Sequence, residues 1–309
     1  MERKAYLVVN PHSASERTGQ LWPRVKATIR EKLGPFEFGL TRGLMHAREL
    51  ACSALEKGFD LIVAHGGDGT LNEVLNGFFS SGKPIHPQAA LGYIPSGTGS
   101  DFSRTLGSFG QTLPRQLETI EAGTVRMLDC GEACFCDEQG KRATRLFINE
   151  ASMGFSGDTA AAVNRASKRW GGKVSFLIGV LRCLAALKKP YLRITVDGRA
   201  LYEGPSLMAA VTNGRYFGGS MMIAPYARPD DGLFEVVSVA AMSRLTVLRK
   251  IGKIYKGQHL NEPEIRATRG KEVTVSPVED PVLLEMDGEL AGRQETHFRI
   301  RAAAVPFLC

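Results

Sequence analysis

Leu61-Ile-Val-Ala-His-Gly-Gly-Asp-Gly-Thr-Leu-Asn-Glu-Val-Leu-Asn-Gly77 is the stretch from which the fold is read. Four apolar residues, Leu61–Ala64, form a buried strand, and Leu71, Val74, Leu75 and Phe78 recur at helical spacing. Between them lies Gly66-Gly67-Asp68-Gly69-Thr70. Glycines let a backbone turn tightly and approach a ligand closely, and the free N–H groups opening the next helix favour an anion. Thr70 with Glu73 also fits a capping box, which would give part of the motif a purely structural reason. Asp68 changes the balance: a carboxylate beside an anion site repels phosphate unless a metal stands between them, and Mg²⁺ held by a carboxylate plus nucleotide phosphates meets that need.

Working outward, strand and helix signals alternate over the first ~130 residues, as in a parallel sheet with helices on its faces. Tyr6–Asn10 ends at Pro11, a helix is expected over Leu21–Leu33, and Phe36–Leu40 and Ala89–Ile94 read as further strands. Pro95-Ser-Gly-Thr-Gly99 forms a second glycine-rich loop, with Ser100 opening another turn or helix. Beyond Val125 short β-like stretches dominate, at Phe147–Asn149, Tyr191–Val196, Leu207–Thr212, Leu233–Val239, Glu272–Val275, Val282–Met286 and His297–Arg301. Helices are expected over Lys173–Leu187 and Leu245–Tyr255. The expected fold class is α/β plus β: an N-terminal α/β nucleotide-binding domain, 1–130, with the GGDGT loop, and a C-terminal β-sandwich-like domain, 131–309, whose last strands can return to the first.

The 309 residues carry 43% hydrophobic and 23% charged residues and a net charge of +7, a globular composition that suits an anionic partner without selecting one. The start of the chain runs directly into a strand and Val174–Leu187 is too short to span a bilayer, so a cytoplasmic protein is expected. The six cysteines lack paired zinc spacing and are read as reduced thiols; the six histidines show no metal-ligand pairing. Walker A, the dinucleotide fingerprint and the protein-kinase motifs are all absent.

Gly66-Gly-Asp-Gly-Thr-Leu-Asn-Glu73 resembles the nucleotide motif of the diacylglycerol kinase catalytic family, which includes sphingosine kinases and small bacterial lipid kinases and shares a superfamily with NAD kinases. Asn10-Pro11, Pro95-Ser-Gly-Thr-Gly-Ser-Asp-Phe-Ser-Arg104, the segment Asn213–Val236 with Asp230-Asp-Gly232, and Met286-Asp-Gly-Glu289 follow in the family's order, from residue 10 to 289. Ser100 departs from the family's usual Asn. The resemblance implies that Gly66, Gly67, Asp68, Gly69, Thr70, Leu71, Asn72 and Thr98 surround the ATP phosphates, with Thr41 near the nucleotide. It implies that Asp68 and Asp101 organise the catalytic Mg²⁺, with Asp129 in the same acidic network. A second Mg²⁺ would use Asp231 and the carbonyls of Arg228 and Leu233. Glu289 is the candidate general base, with Asp68 its rival.

The implied reaction is ATP- and Mg²⁺-dependent phosphorylation of a lipid hydroxyl, diacylglycerol first. A sphingoid base or another glycerolipid is the nearest alternative, then an NAD kinase, then a non-catalytic nucleotide-binding membrane sensor. Without the resemblance, Asp230–Gly232 and Asp287-Gly288 read as ordinary turns. Partners expected are ATP and a lipid at the inner membrane surface, with no nucleic acid and a homodimer left open. Two basic, apolar segments suit such a surface or pack on the β domain: Lys168–Lys189, and Leu248, Ile251, Ile254 and Tyr255 interleaved with Arg249, Lys250, Lys253 and Lys256.

Overall fold

The computed structural model describes residues 3–97, 99–137, 139–165 and 183–309, with the side chains of 162–165 left aside. Thr98 and most of the expected helix Lys173–Leu187 therefore lie outside the described residues. The chain divides into two compact units, Met1–Leu128 with Ala303–Cys309, and Asp129–Ala302.

In the first unit, β1 (Ala5–Val9), β2 (Phe36–Leu40), β3 (Leu61–Gly66) and β6 (Ala90–Pro95) form a parallel sheet in the order β2-β1-β3-β6. The short hairpin β4 (Phe79–Ser80) and β5 (Lys83–Pro84) precedes β6. Strand β17 (Thr296–Leu308) ends beside β6, with Phe307 opposite Leu91. Parallel connections need crossovers, supplied here by α1 (Arg17–Leu33), α2 (His46–Glu56) and α3 (Asp68–Gly77). Every residue of β3 is buried, as expected for a central strand covered on both faces. Leu7, Val9, Trp22, Ile29, Val63, Ile94, Leu117 and Leu308 share one core with the short helices' neighbour α5 (Leu113–Ala122). Helix α1 starts at Arg17 rather than Leu21, because Thr18 is drawn into a hydroxyl cluster with Ser13 and Ser96.

The second unit is built around β11 (Arg199–Thr212), longer than the expected Leu207–Thr212 because it serves two sheets. Its first half pairs with β10 (Tyr191–Val196), which continues to β14 (Glu272–Pro277) and β17. Its second half pairs on one side with β9 (Glu150–Gly154), β15 (Leu284–Met286) and β16 (Glu289–Gly292), and on the other with β12 (Phe234–Ala240) and β13 (Ile265–Gly270). Leu192, Ile194, Val211, Phe234, Val273, Val275, Leu284, Met286 and Phe298 meet in one core, as inward-facing alternate residues of a sandwich do. The β-sandwich-like expectation holds. The opposite face of β12 and of the second half of β11 is covered by Phe217, Ile223, Ala224 and Ala227 and by α7 (Arg244–Ile254), so this part of the sheet is buried on both sides. Helix α6 (Phe155–Arg165) follows β9 directly.

β7 (Val125–Cys136) and β8 (Arg142–Phe147) pair with Gly131 opposite Phe147. The Phe147 ring lies over Gly131, stacks on Phe234 at 5.7 Å and meets Phe298 edge-on at 6.1 Å. A Cβ on Gly131 would lie 2.0 Å from the Phe147 ring. Gly131→Ala should therefore cost about 1–3 kcal/mol of unfolding free energy in urea titration. Phe147→Leu in the same chain should recover part of that loss; strictly additive losses would show that the ring is not the obstacle.

Candidate functional site

The two glycine loops of the first unit are joined by Asp68. Its carboxylate accepts the backbone N–H of Asp101 at 2.8 Å and of Phe102 at 3.2 Å, the first groups of α4 (Asp101–Thr105). Helix-opening N–H groups lack intrahelical partners, so the first residue of α3 satisfies those of α4. The Tyr93 hydroxyl sits 3.5 Å from Asp68 Oδ1; burial first, and then the Asp68 charge, pushes its phenol well above the ordinary value. The loops touch at their glycines. A Cβ on Gly97 would lie 2.8 Å from Gly67 Cα, and one on Gly66 would lie 2.4 Å from Thr70 Oγ1.

The capping box expected from Thr70 and Glu73 does not form. Helix α3 begins at Asp68 with Gly67 as its cap, three residues before Thr70. Thr70 Oγ1 instead accepts from Asn10 Nδ2 at 3.0 Å, and Glu73 accepts the Ala47 N–H at 3.0 Å. Asn10-Pro11 is thereby tied to the GGDGT loop across 60 residues. Ser13, Thr18 and Ser96 hydroxyls lie within 2.7–3.0 Å of one another and fasten the segment after β1 to the Pro95–Gly99 loop. Ala14, Ser15 and Glu16 between them all have positive φ, a left-handed run that non-glycine residues adopt at some cost. Sequence reading missed this cluster, because serines and threonines in loops carry no distinctive spacing.

Of the residues implied to hold a nucleotide, Gly66, Gly67, Asp68, Gly69, Thr70, Leu71 and Asn72 run along the end of β3 and the start of α3; Thr70, Leu71 and Asn72 are buried. Thr41 follows β2 and donates its N–H to Val9 O at 2.8 Å. Ser100 occupies the cap of α4 at φ 47, with its hydroxyl on Gly97 O at 2.9 Å rather than on the helix. A Cβ on Gly99 would lie 3.8 Å from both Asp68 Oδ2 and Asp101 Oδ2, so the two carboxylates converge on one side of the loop. Arg104 stands 3.6 Å from Asp101 and over the Phe109 ring. Two carboxylates with hard oxygen donors fit Mg²⁺ that keeps water and phosphate for its other positions. Among the described residues no group of three His, Cys, Asp or Glu side chains could hold a metal by itself.

In the second unit, the 228–233 turn is fixed by Asp129. Its Oδ2 accepts the Gly232 N–H at 2.7 Å, its own N–H donates to Pro229 O at 2.7 Å, and Asn213 Nδ2 reaches its carbonyl at 3.0 Å. Asp231 accepts the Leu233 N–H at 3.2 Å and pairs with Arg269; Arg228 lies 3.7 Å from Asp230. A cation held by Asp231 and the carbonyls of Arg228 and Leu233 would have to displace Arg269.

Asp287 and Gly288 both have positive φ, the pattern of a two-residue hairpin turn, and carry Glu289 at the head of β16 opposite Met286. Strand β8 stops at Phe147 rather than at Asn149 because Ile148, Asn149 and Glu150 give their N–H groups to the Asp287 carboxylate, at 2.9, 3.0 and 2.9 Å. Beneath the turn, buried Glu285 accepts the Gly288 N–H at 3.0 Å and the Ser152 hydroxyl at 2.5 Å; Ser152 also bonds Ser156 at 2.7 Å. The Glu285 carboxyl meets that of Glu150, also buried, with Asp287 close by. Burial and the adjoining negative charges push both carboxyls above the ordinary range.

The diacylglycerol kinase catalytic domain matches residues 4–133, and the YegS C-terminal NAD kinase beta sandwich-like domain matches 149–309. The diacylglycerol kinase of Mycobacterium tuberculosis (strain ATCC 25618 / H37Rv) is 30% identical over 74% of this chain and 71% of its own. That of Bacillus subtilis (strain 168) is 28% identical over 94% and 91%. The crystal structure of a diacylglycerol kinase from Bacillus anthracis str. Sterne superposes with a TM-score of 0.71, at 22% identity, over 99% of this chain and 96% of that one. An NAD kinase from Archaeoglobus fulgidus in complex with ATP shares the fold more distantly, with a TM-score of 0.54 at 13% identity, over 99% and 93%. An α/β domain with a GGDGT loop followed by an NAD-kinase-like β-sandwich defines the class: a kinase of the NAD kinase-like superfold. Within it, the chain belongs to the diacylglycerol kinase family, an enzyme family of lipid kinases.

The Glu150–Glu285 pair sets a pH dependence whose sign is fixed. A carboxyl with a raised folded pKa contributes stability that is complete below its unfolded pKa of ~4.3 and is lost as pH rises through the folded value. The urea midpoint of the wild type should fall as pH rises above ~5, and Glu150→Gln, which keeps a neutral donor to Glu285, should flatten that fall. Parallel curves for the two proteins would show that this pair does not set the pH dependence.

Proposed function

We propose that this chain phosphorylates diacylglycerol to phosphatidic acid with Mg·ATP. The observation that supports it best is the Asp68 carboxylate joining both glycine loops next to Asp101. Gly66–Asn72, Thr98 and Thr41 would hold the nucleotide, and Asp68 and Asp101 would hold Mg²⁺ against its phosphates. The bound cation would neutralise charge developing on the transferred phosphoryl group. Glu289 would act as general base: the lipid oxygen forms its bond to the γ-phosphorus, the bond from that phosphorus to the β,γ-bridging oxygen breaks, ADP leaves, and the hydroxyl proton passes to the Glu289 carboxylate. Asp68 is less suited to that role because it already accepts two N–H groups at α4. The Asp231 turn, held by Arg269, would take a second cation only in exchange for that ion pair.

Labelled γ-phosphate from ATP should appear in phosphatidic acid in mixed micelles containing diacylglycerol, a sphingoid base and, separately, NAD. Glu289→Ala should lose about 10²–10⁴-fold in kcat with KM for ATP little changed. Asp68→Asn, which keeps an acceptor on α4, should raise the Mg²⁺ concentration needed for half-maximal rate. Label on a sphingoid base would correct the substrate alone, and label on NAD alone would sink the lipid-kinase reading.

A further inference from the structure

Helix α7 has two apolar faces. Ser243 caps it, its hydroxyl accepting the Thr246 N–H at 3.1 Å, and Val247 and Ile254 pack inward with Met242 against Leu207, Met208 and Val239. Yet no residue of the helix is fully buried. Leu245 and Leu248 are 55% and 52% exposed, and Tyr255, just past its end, is 46% exposed. Their spacing places them on one solvent-facing stripe. Tyr226, 70% exposed, stands near the helix end, since its neighbour Pro225 lies against Gly257.

The charged residues beside this stripe all have one sign. Residues 243–256 contain Arg244, Arg249, Lys250, Lys253 and Lys256 and no Asp or Glu. Lys250 is spent on Glu262 and Glu264, at 2.7 and 2.5 Å, and Lys253 on Glu262, which fastens the helix to the segment leading into β13. Arg244, Arg249 and Lys256 have no ion-pair partner among the described residues. Single exposed leucines are commonplace, but an apolar stripe flanked by uncompensated cations is a surface with a missing partner.

We propose that this face of α7 docks the chain onto an anionic lipid bilayer, with Leu245, Leu248, Tyr255 and Tyr226 entering the headgroup boundary and Arg244, Arg249 and Lys256 meeting lipid phosphates. A helix lying in the interface plane needs this combination of apolar and basic groups on one side. A second copy of the chain fits less well: a two-fold contact through the stripe would set like charges against each other. No helix of the described residues is long and apolar enough to cross a membrane, so a bilayer would be met here from its surface. The lipid substrate proposed above gives docking a purpose, but docking can be read without ATP or catalysis.

The full chain should co-sediment with sucrose-loaded vesicles of phosphatidylcholine and phosphatidylglycerol at 7:3 more tightly than with phosphatidylcholine alone, and 0.5 M NaCl should weaken it. Leu245→Ser/Leu248→Ser should lose binding by at least about tenfold. Arg244→Gln/Arg249→Gln/Lys256→Gln should lose about fivefold per charge. Arg30→Gln/Lys32→Gln, on exposed positions of α1, should bind like the wild type. All should keep the wild-type melting temperature and its rate on a short-chain, water-soluble diacylglycerol. Unchanged binding in both α7 variants, or equal losses in the α1 control, would overturn the proposal. So would a wild type that binds no vesicle, or a wild-type dimer in sedimentation velocity that the leucine variant dissolves. Failed lipid phosphorylation with intact, α7-dependent vesicle binding would overturn only the substrate reading.

Discussion

The first unit depends on one carboxylate being shared. Asp68 begins α3 and closes the N-terminus of α4, so the first glycine loop cannot be placed without placing the second. Helix N-termini attract negative charge, and here the protein supplies its own at the entrance to the Pro95–Gly99 loop. The contact of Gly67 with Gly97 follows, since any larger residue at 97 would separate the loops that Asp68 joins. Asn10 on Thr70 and the Ser13, Thr18 and Ser96 hydroxyls repeat the connection from the side of β1. The strands set the frame, but polar contacts between the loops set the loop geometry.

In the other unit the corresponding constraint is buried and acidic. Asp287 collects three backbone N–H groups, which fixes where β8 ends and β9 begins. Glu285 holds Gly288 from below, and Glu150 meets Glu285. Three N–H donors stabilise negative charge on Asp287, whereas burial and neighbouring acids disfavour it on Glu150 and Glu285. The turn bearing Glu289 thus rests on two acidic supports of opposite electrostatic character. The same concentration of acid affects Cys130. Burial, with Glu132, Asp129 and Asp287 adding to it, pushes its thiol up to about 12 despite nearby Arg301, so it stays protonated and inert.

Legibility in the sequence followed the range of the interactions. Strand β3, the GGDGT loop and α3 are contiguous, and their apolar periodicity with glycines between reads directly. Helix α7 was expected within a residue at each end. Thr70 was misassigned because a capping box is a local pattern, whereas its actual partner, Asn10, is 60 residues away. The Ser152–Glu285 contact spans 133 residues and is created only when β9 pairs with β15, so nothing near either residue announces it. Asp231 read as a metal ligand by resemblance; its Arg269 partner, 38 residues later on β13, carries no motif.

The charges also explain why the proposed reaction needs a cation for reasons independent of ancestry. A polyphosphate at the GGDGT loop would approach Asp68 and Asp101 together, and like charges at such range cost several kcal/mol when partly buried, about 4 kcal/mol at 4 Å for an effective dielectric constant of 20. Arg104 is committed to Asp101 and to the face of Phe109, so it offsets one carboxylate and not two. Glycine N–H groups and a helix dipole recover only part of the difference. A divalent cation would reverse the sign of such a site, making the two carboxylates ligands rather than obstacles to the phosphates. On the proposed reading the carboxylates and the glycines are not separate motifs: the glycines would make room for a phosphate that the aspartates would admit only with its metal.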